Sequence, residues 1–268
     1  MVGPFVFFDH MGPLDLAPGV DRSVDVRPHP HIGLATVTYL YSGEIMHRDS
    51  VGSAQAIRPH EVNWMTAGRG ITHSERFEHA RVHGDRLHGI QAWVALPTEL
   101  EEVAPSFSHH SGADLPSWRD AGVQGELIAG SAYGLTAGTE THSPLFYAHL
   151  DMEAGASAEI PGGFAERALY VATGAIEMAG DRYEAGTMLV LQPAASKVRA
   201  LEHATVMVLG GEPVGPRFIY WNFVSSSQDR LAQAAADWKA GRMKLPDADD
   251  AEFIPLPDEP QPPAPALS

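Results

Sequence analysis

What most limits the fold of this chain is the shortness of its apolar runs. ATVTYLYSG, HEVNWMTAG, LHGIQAWVALP, LFYAHLDMEAG and GTMLVLQP are each of strand length. They are rich in β-branched and aromatic residues, and Gly, Pro or Asp cuts each one off. Many short strands at this spacing imply an all-β sandwich or barrel. The rhythm occurs twice. YSGEIMHRDSVG leads to IRPHEVNWMTAG in the first half, and ATGAIEMAGDRYEAGTMLVLQP repeats the order strand, glycine turn, strand, turn, strand. The polar stretch at 109–122 marks the join, which gives two similar β domains over 1–125 and 126–225. The rest, 226–268, reads as a C-terminal helix and an extended tail. SSSQDRLAQAAADWKAGR opens on serine N-caps and closes on basic residues near Gly241. The acidic, proline-rich tail after it stays extended, with 253–256 docking on the body.

Composition narrows the function classes. The chain has 268 residues, no cysteine and a formal net charge of −16. Without cysteine there are no disulfides, no thiolate ligands and no thiol nucleophile, so any metal must be held by His, Asp or Glu. The acidic excess repels phosphate backbones and argues against direct nucleic-acid binding. No apolar run approaches the roughly 18 residues of a membrane span. MVGPFVFFDH has neither a basic n-region nor a cleavage site, so no signal peptide is read and the expected compartment is the cytoplasm.

The chemistry lies in two short pairs. In RPHPHIG, residues 27–33, His29 and His31 are two apart, and preceding prolines favour extended backbone. Residues two apart on a strand share a face. In GRGITHSERF, residues 68–77, His73 and Glu75 have the same spacing. Bringing the two strands together gathers three imidazoles and a carboxylate. That set suits a divalent first-row metal, leaving two octahedral positions open for substrate and water or O₂. Against this, the chain has 14 histidines, and pairs arise by chance. His109–His110 and His79/His83 read as solvated or capping groups, and His142, His149 and His203 as bland.

HPHIGLATVTYLYSGEIMHRDSVGS followed by NWMTAGRGITHSE resembles the pirin family, with near-fixed spacing from Arg27 to Glu75. PFVFFDHMGP, IQAWVALP and WNFVSS extend the likeness over most of the chain. The resemblance implies two stacked cupin (double-stranded β-helix, jelly-roll) barrels, with one metal in the first and none in the second. It places the ligands at His29, His31, His73 and Glu75. Iron is the implied ion, with Ni, Cu, Co, Mn or Zn as alternatives and no other cofactor. It also implies a quercetin 2,3-dioxygenase activity, in which O₂ opens the heterocycle of a flavonol-like substrate and Glu75 serves as the base. One departure stands out: pirins carry Pro-Gly-Asp where this chain has RPHEV, which sets His60 at a glycine position and reads as a surface turn.

Around the metal, His47 is either an orienting partner of a ligand or solvent-facing. Phe8 and His10 are a candidate rim of the cavity. Phe5, Phe7, Trp64, Met65, Phe77 and Trp93 are candidates for its wall or for barrel core. Two rival functions remain open at this level. One is a metal- and redox-dependent regulator that binds another protein, its partner unspecified. The other is a cupin enzyme acting on a different small molecule through a basic clamp drawn from Arg27, Arg48, Arg58, Arg69 and Arg76.

Overall fold

The computed structural model describes residues 1–194, 196–258 and 267. The proline-rich end of the tail, 259–266 and 268, lies outside the described residues. Nearly all regular structure is β-strand, as the short apolar runs require. The chain divides into two compact units, Val6–Gly112 with Gly215–Ser268, and Met1–Phe5 with Ala113–Val214. The sequence sets its joins at 125 and 225 instead. The polypeptide changes unit after Phe5, Gly112 and Val214, so the C-terminal helix and tail fold with the first barrel rather than as a third segment.

The unit built around 6–112 holds two antiparallel sheets. Its strands are β1 (Phe5–Leu16), β2 (Val26–His31), β3 (Leu34–Ser42), β4 (Ile45–Asp49), β5 (Ala54–Ile57), β6 (Val62–Thr66), β7 (Ile71–Arg76), β8 (Asp85–Ala95) and β9 (Ser106–His110). One sheet runs β1-β8-β3-β6-β9 and the other β2-β7-β4-β5. A short helix, α1 (Glu78–His83), follows β7. Leu16, Leu40, Ile45, Ile57, Phe77 and Leu87 form one apolar core of this unit.

The edge position of β2 explains its spelling. Proline cannot donate to a ladder, so it survives in a sheet only at an edge or bulge. β2 pairs with β7 on one side alone, with a bulge between Val26 and His29 that sets His29 opposite His73. Pro28 turns its carbonyl away from β7, where it accepts the Ile254 N–H at 2.8 Å. The alternation Pro-His-Pro-His therefore keeps the prolines off the ladder and points both imidazoles to one face. Gly33 ends the strand at φ 68°, and a Cβ there would meet the Val224 carbonyl oxygen at 2.0 Å. No other residue fits that approach.

The return from the other unit completes this one. A hairpin of Phe218–Tyr220 and Phe223–Ser225 bridges to Ile32 through Phe223. Helix α2 (Gln228–Lys239) follows, starting three residues inside the expected span because Ser227 is the residue that caps it, its Oγ accepting from the Arg230 N–H. Leu231, Ala234 and Trp238 pack with Ile32, Phe223 and Leu256. The tail docks as expected: the Trp238 Nε1–H donates to the Ile254 carbonyl at 3.0 Å. The turn at RPHEV keeps the left-handed backbone a glycine would choose, with His60 at φ 64°. Its N–H reaches the Leu40 carbonyl, and its Nδ1 shares a 3.1 Å hydrogen bond with the Tyr39 hydroxyl. Such contacts offset the roughly 1–2 kcal/mol that a side chain costs in this conformation.

The other unit also has two antiparallel sheets. The larger orders Ser117–Asp120, Val123–Ala132, Leu145–Met152, Ala204–Gly211, Glu166–Thr173 and Met188–Val190 side by side, with a short added strand at Leu135–Thr136. The smaller orders Ser157–Glu159, Lys197–Ala200, Ala175–Met178 and Asp181–Glu184. Leu127, Phe146, Leu150, Leu169, Val206 and Val208 fill its core. No helix among the described residues is long and apolar enough to cross a membrane.

Candidate functional site

Strands β2 and β7 bring three histidines together. The ligand atoms of His29, His31 and His73 lie within 4.8 Å of one another, and all three side chains are buried. The His31 and His73 Nε2 atoms are 3.1 Å apart. Ring centroids are separated by 4.4 Å for His29–His73, 5.0 Å for His29–His31 and 5.1 Å for His31–His73. Burial holds the His29 imidazole down to about 4, and burial with the neighbouring rings holds His31 and His73 well below the ordinary histidine value. All three are neutral near pH 7, the form that binds metal.

The partners of two rings settle which nitrogen is free. His29 Nδ1 lies 2.9 Å from the Arg27 carbonyl, and His31 Nδ1 lies 3.0 Å from the Asn222 carbonyl. A carbonyl only accepts, so each Nδ1 carries the proton and each Nε2 keeps its lone pair. Buried lone pairs converging on one point, with no donor of their own, fit a cation. The donor set, imidazole with a carboxyl nearby, suits a first-row divalent ion. The Asn222 carbonyl comes from the distant return of the chain, and no local pattern in the sequence points to it.

Glu75 shares the face of β7 with His73 but stands aside from the three-histidine group. Its Oε1 accepts from the Gln91 amide at 2.9 Å. Burial pushes its carboxyl up to about 7; the Gln91 hydrogen bond opposes this and the charge of Asp9 adds to it.

His29 and Glu75 open onto a cavity of about 480 Å³, lined also by Phe7, Asp9, Met11, Phe77, Trp93 and Trp221. Gln91, Asn222 and Ile254 contribute to the same wall. Phe7 packs on Trp93 with centroids 4.3 Å apart, and Trp93 meets the His31 ring edge-on. Among the described residues no arginine or lysine lines this cavity, so the basic clamp expected of a carboxylate- or phosphate-binding cupin is not among them.

Phe8 and His10 are not in that wall either. Alternation along β1 gives the lining to Phe7, Asp9 and Met11, and His10 lies with its Nε2 2.7 Å from His88 Nε2 instead. Trp64 and Met65 are core: they are 3% and 1% exposed, and the Trp64 indole N–H reaches the Thr66 hydroxyl. Phe5 is likewise buried, tilted against Tyr147. His47 is neither in the lining nor solvent-facing. It is 4% exposed and lies behind His73, 3.4 Å between the two Nδ1 atoms.

Known proteins resemble this chain along most of its length. The Pirin family profile matches residues 1–94, and that of the Pirin C-terminal cupin domain matches residues 147–244. A pirin-like protein of Caulobacter vibrioides is 61% identical over 260 residues, spanning 96% of this chain and 90% of the relative. The crystal structure of a quercetin 2,3-dioxygenase from Acinetobacter baumannii aligns with a TM-score of 0.90 at 32% identity, over 99% of this chain and 88% of that one. A bacterial pirin from Escherichia coli, at 19% identity and a TM-score of 0.62 over 79% of this chain and 84% of that one, shares the fold. Both halves of the chain are thus matched, and it is a member of the pirin family of two-barrel cupin proteins.

Proposed function

We propose that this pirin is a metal-dependent dioxygenase that opens flavonol-like substrates with O₂. The observation that carries the reading is the convergence of three buried, neutral imidazoles beside a cavity with aromatic walls and, among the described residues, no arginine or lysine in its lining. His29, His31 and His73, with Glu75 beside them, would hold one divalent ion, iron by the family resemblance. When bound, the ion supplies Lewis acidity toward a phenolic oxygen and a path for electrons between substrate and O₂.

The chain's own residues do the rest. Trp93, Phe7, Phe77 and Trp221 take a flat polyphenol between apolar faces. The Gln91 amide donates to Glu75 Oε1 and steadies the carboxyl beside the cavity, where Glu75 would accept the proton of a substrate hydroxyl.

The test joins two readouts on one preparation. Bound metal is measured by elemental analysis after purification without added metal, and loss of flavonol absorbance is followed after adding quercetin under air. The expected result is metal-dependent loss of the flavonol, with His73→Ala losing both the bound metal and the turnover. Glu75→Gln should keep most of the metal and lose turnover. Stoichiometric metal with no quercetin loss would overturn the dioxygenase reading. Undiminished turnover in Glu75→Gln would remove Glu75 as the base.

A further inference from the structure

Behind the three-histidine group, β4 supplies a second column of buried polar side chains. Register pairs Asp49 with His73 and His47 with Glu75, so all four side chains share one face of the sheet. Asp49 and His47 are 2% and 4% exposed. Asp49 Oδ1 accepts the Val51 and Ser53 N–H groups at 3.0 and 2.9 Å. Its other oxygen, Oδ2, lies 3.0 Å from His47 Nε2. The His47 ring is stacked on Phe107, centroids 4.5 Å apart and planes 17° apart. Its remaining nitrogen, Nδ1, faces His73 Nδ1 at 3.4 Å.

We propose that Asp49 and His47 form a proton-ordering relay that fixes the tautomer of His73 and so aims its Nε2 lone pair into the candidate metal site. The inference rests on the reading of His73 as a ligand. A carboxylate accepts and cannot donate, so His47 Nε2 carries the ring proton. In a neutral His47 ring, that proton leaves Nδ1 as an acceptor. The proton between the two Nδ1 atoms must then belong to His73, which leaves His73 Nε2 bare. His73 thereby matches His29 and His31, whose Nδ1 protons are fixed by carbonyls. The bare Nε2 atoms of His31 and His73 meet at 3.1 Å, a contact that a shared cation relieves. Asp49 and His47 touch neither substrate nor ion. They act through His73 as positioning residues, and the relay also makes that imidazole a stronger ligand.

Asp49→Asn is the informative change. Asparagine keeps one oxygen for the Val51 and Ser53 amides but presents an N–H to His47. The order of protons then reverses: His47 accepts at Nε2 and donates from Nδ1, and His73 must accept at Nδ1 and carry its proton on Nε2, facing the ion. His47→Phe is the second variant, keeping a ring on Phe107 and removing both nitrogens.

The experiment uses the full chain without metal, with histidine tautomers read from long-range ¹H–¹⁵N correlations of the imidazoles. Co²⁺ affinity is then read by competition with a chelator. Wild type should show His73 protonated on Nδ1 and His47 on Nε2. Asp49→Asn should exchange both, and both variants should bind Co²⁺ roughly 10–100-fold more weakly. Wild-type tautomers opposite to these, or an Asp49→Asn protein with His73 still protonated on Nδ1 and unchanged Co²⁺ affinity, would overturn the relay. If the exchange occurs but the wild type binds no Co²⁺, the relay stands and the metal reading of the site fails.

Discussion

At the scale of single residues, burial keeps the site's histidines neutral into mildly acidic pH, where water would charge them. His29 is held near 4 by burial, against 6.5 in an open chain. A histidine lowered in the folded state leaves the unfolded state binding more protons between those values, so stability is lost as pH falls through that window. Between pH 7 and pH 5, His29 alone should cost the metal-free protein about 2 kcal/mol. Urea unfolding at the two pH values, in wild type and His29→Gln, checks this. The loss on acidification should be smaller in the variant by about that amount, and an identical loss would mean His29 is not held neutral. Residues differed in how far the sequence revealed them. His29, His31, His73 and Glu75 were legible because each pair obeys the two-residue period of a strand. Phe8 and His10, a candidate rim by sequence, fall outside the lining, because FVFFDH is apolar on both parities and offers no phase. Asp49 and His47 matter through partners on β7, and local spacing does not reveal partners.

At the scale of elements, one strand serves two surfaces. β7 turns His73 and Glu75 inward, while Ser74 and Arg76 on its other face hold the tail. Arg76 is 2% exposed and meets Asp249 at 2.7 Å, Glu252 at 3.1 Å and Asp25 at 3.5 Å. The Asp249 carboxylate also accepts from the Ser74 hydroxyl at 2.6 Å. A buried guanidinium that loses a buried partner costs roughly 3–5 kcal/mol, whereas an exposed partner is worth under about 1 kcal/mol. Asp249 is largely covered and Glu252 is 39% exposed at its side chain. Asp249→Ala should therefore destabilise the chain by about 3 kcal/mol and Glu252→Ala by less than about 1 kcal/mol, read by denaturant midpoint. Equal costs would show that the tail is not clamped through Asp249. The segment so clamped brings Ile254 into the cavity wall, and the return before it brings Trp221 and Asn222. The sequence showed that 253–256 could dock. Where it docks depends on a chain that leaves the first barrel, builds the second unit and comes back, and composition carries no trace of that path.

At the scale of the whole molecule, the three histidines, the cavity and the tail clamp all belong to the unit of Val6–Gly112 with Gly215–Ser268. The doubled rhythm of the sequence repeats the strands without repeating the His-x-His and His-x-Glu pairs. Nothing in strand geometry demands a metal in both barrels. The second unit's core of Leu, Val and Phe closes around itself. A ligand that binds only a folded site stabilises that site by mass action, about 2.7 kcal/mol at a hundred times its dissociation constant. The gain falls on the amides whose opening breaks the site. Hydrogen–deuterium exchange of the full chain, with and without saturating Co²⁺, should show slower exchange over 26–31, 45–49, 71–76 and 222–225. Strands at 123–132, 166–173 and 204–211 should exchange at unchanged rates. Equal slowing in both sets would mean that the ion is bound or felt across both units, and a single site on β2 and β7 would no longer account for binding. Slowing confined to the first set would tie the metal to the face where alternation places His29, His31 and His73, and leave the second barrel as the unit that binds none.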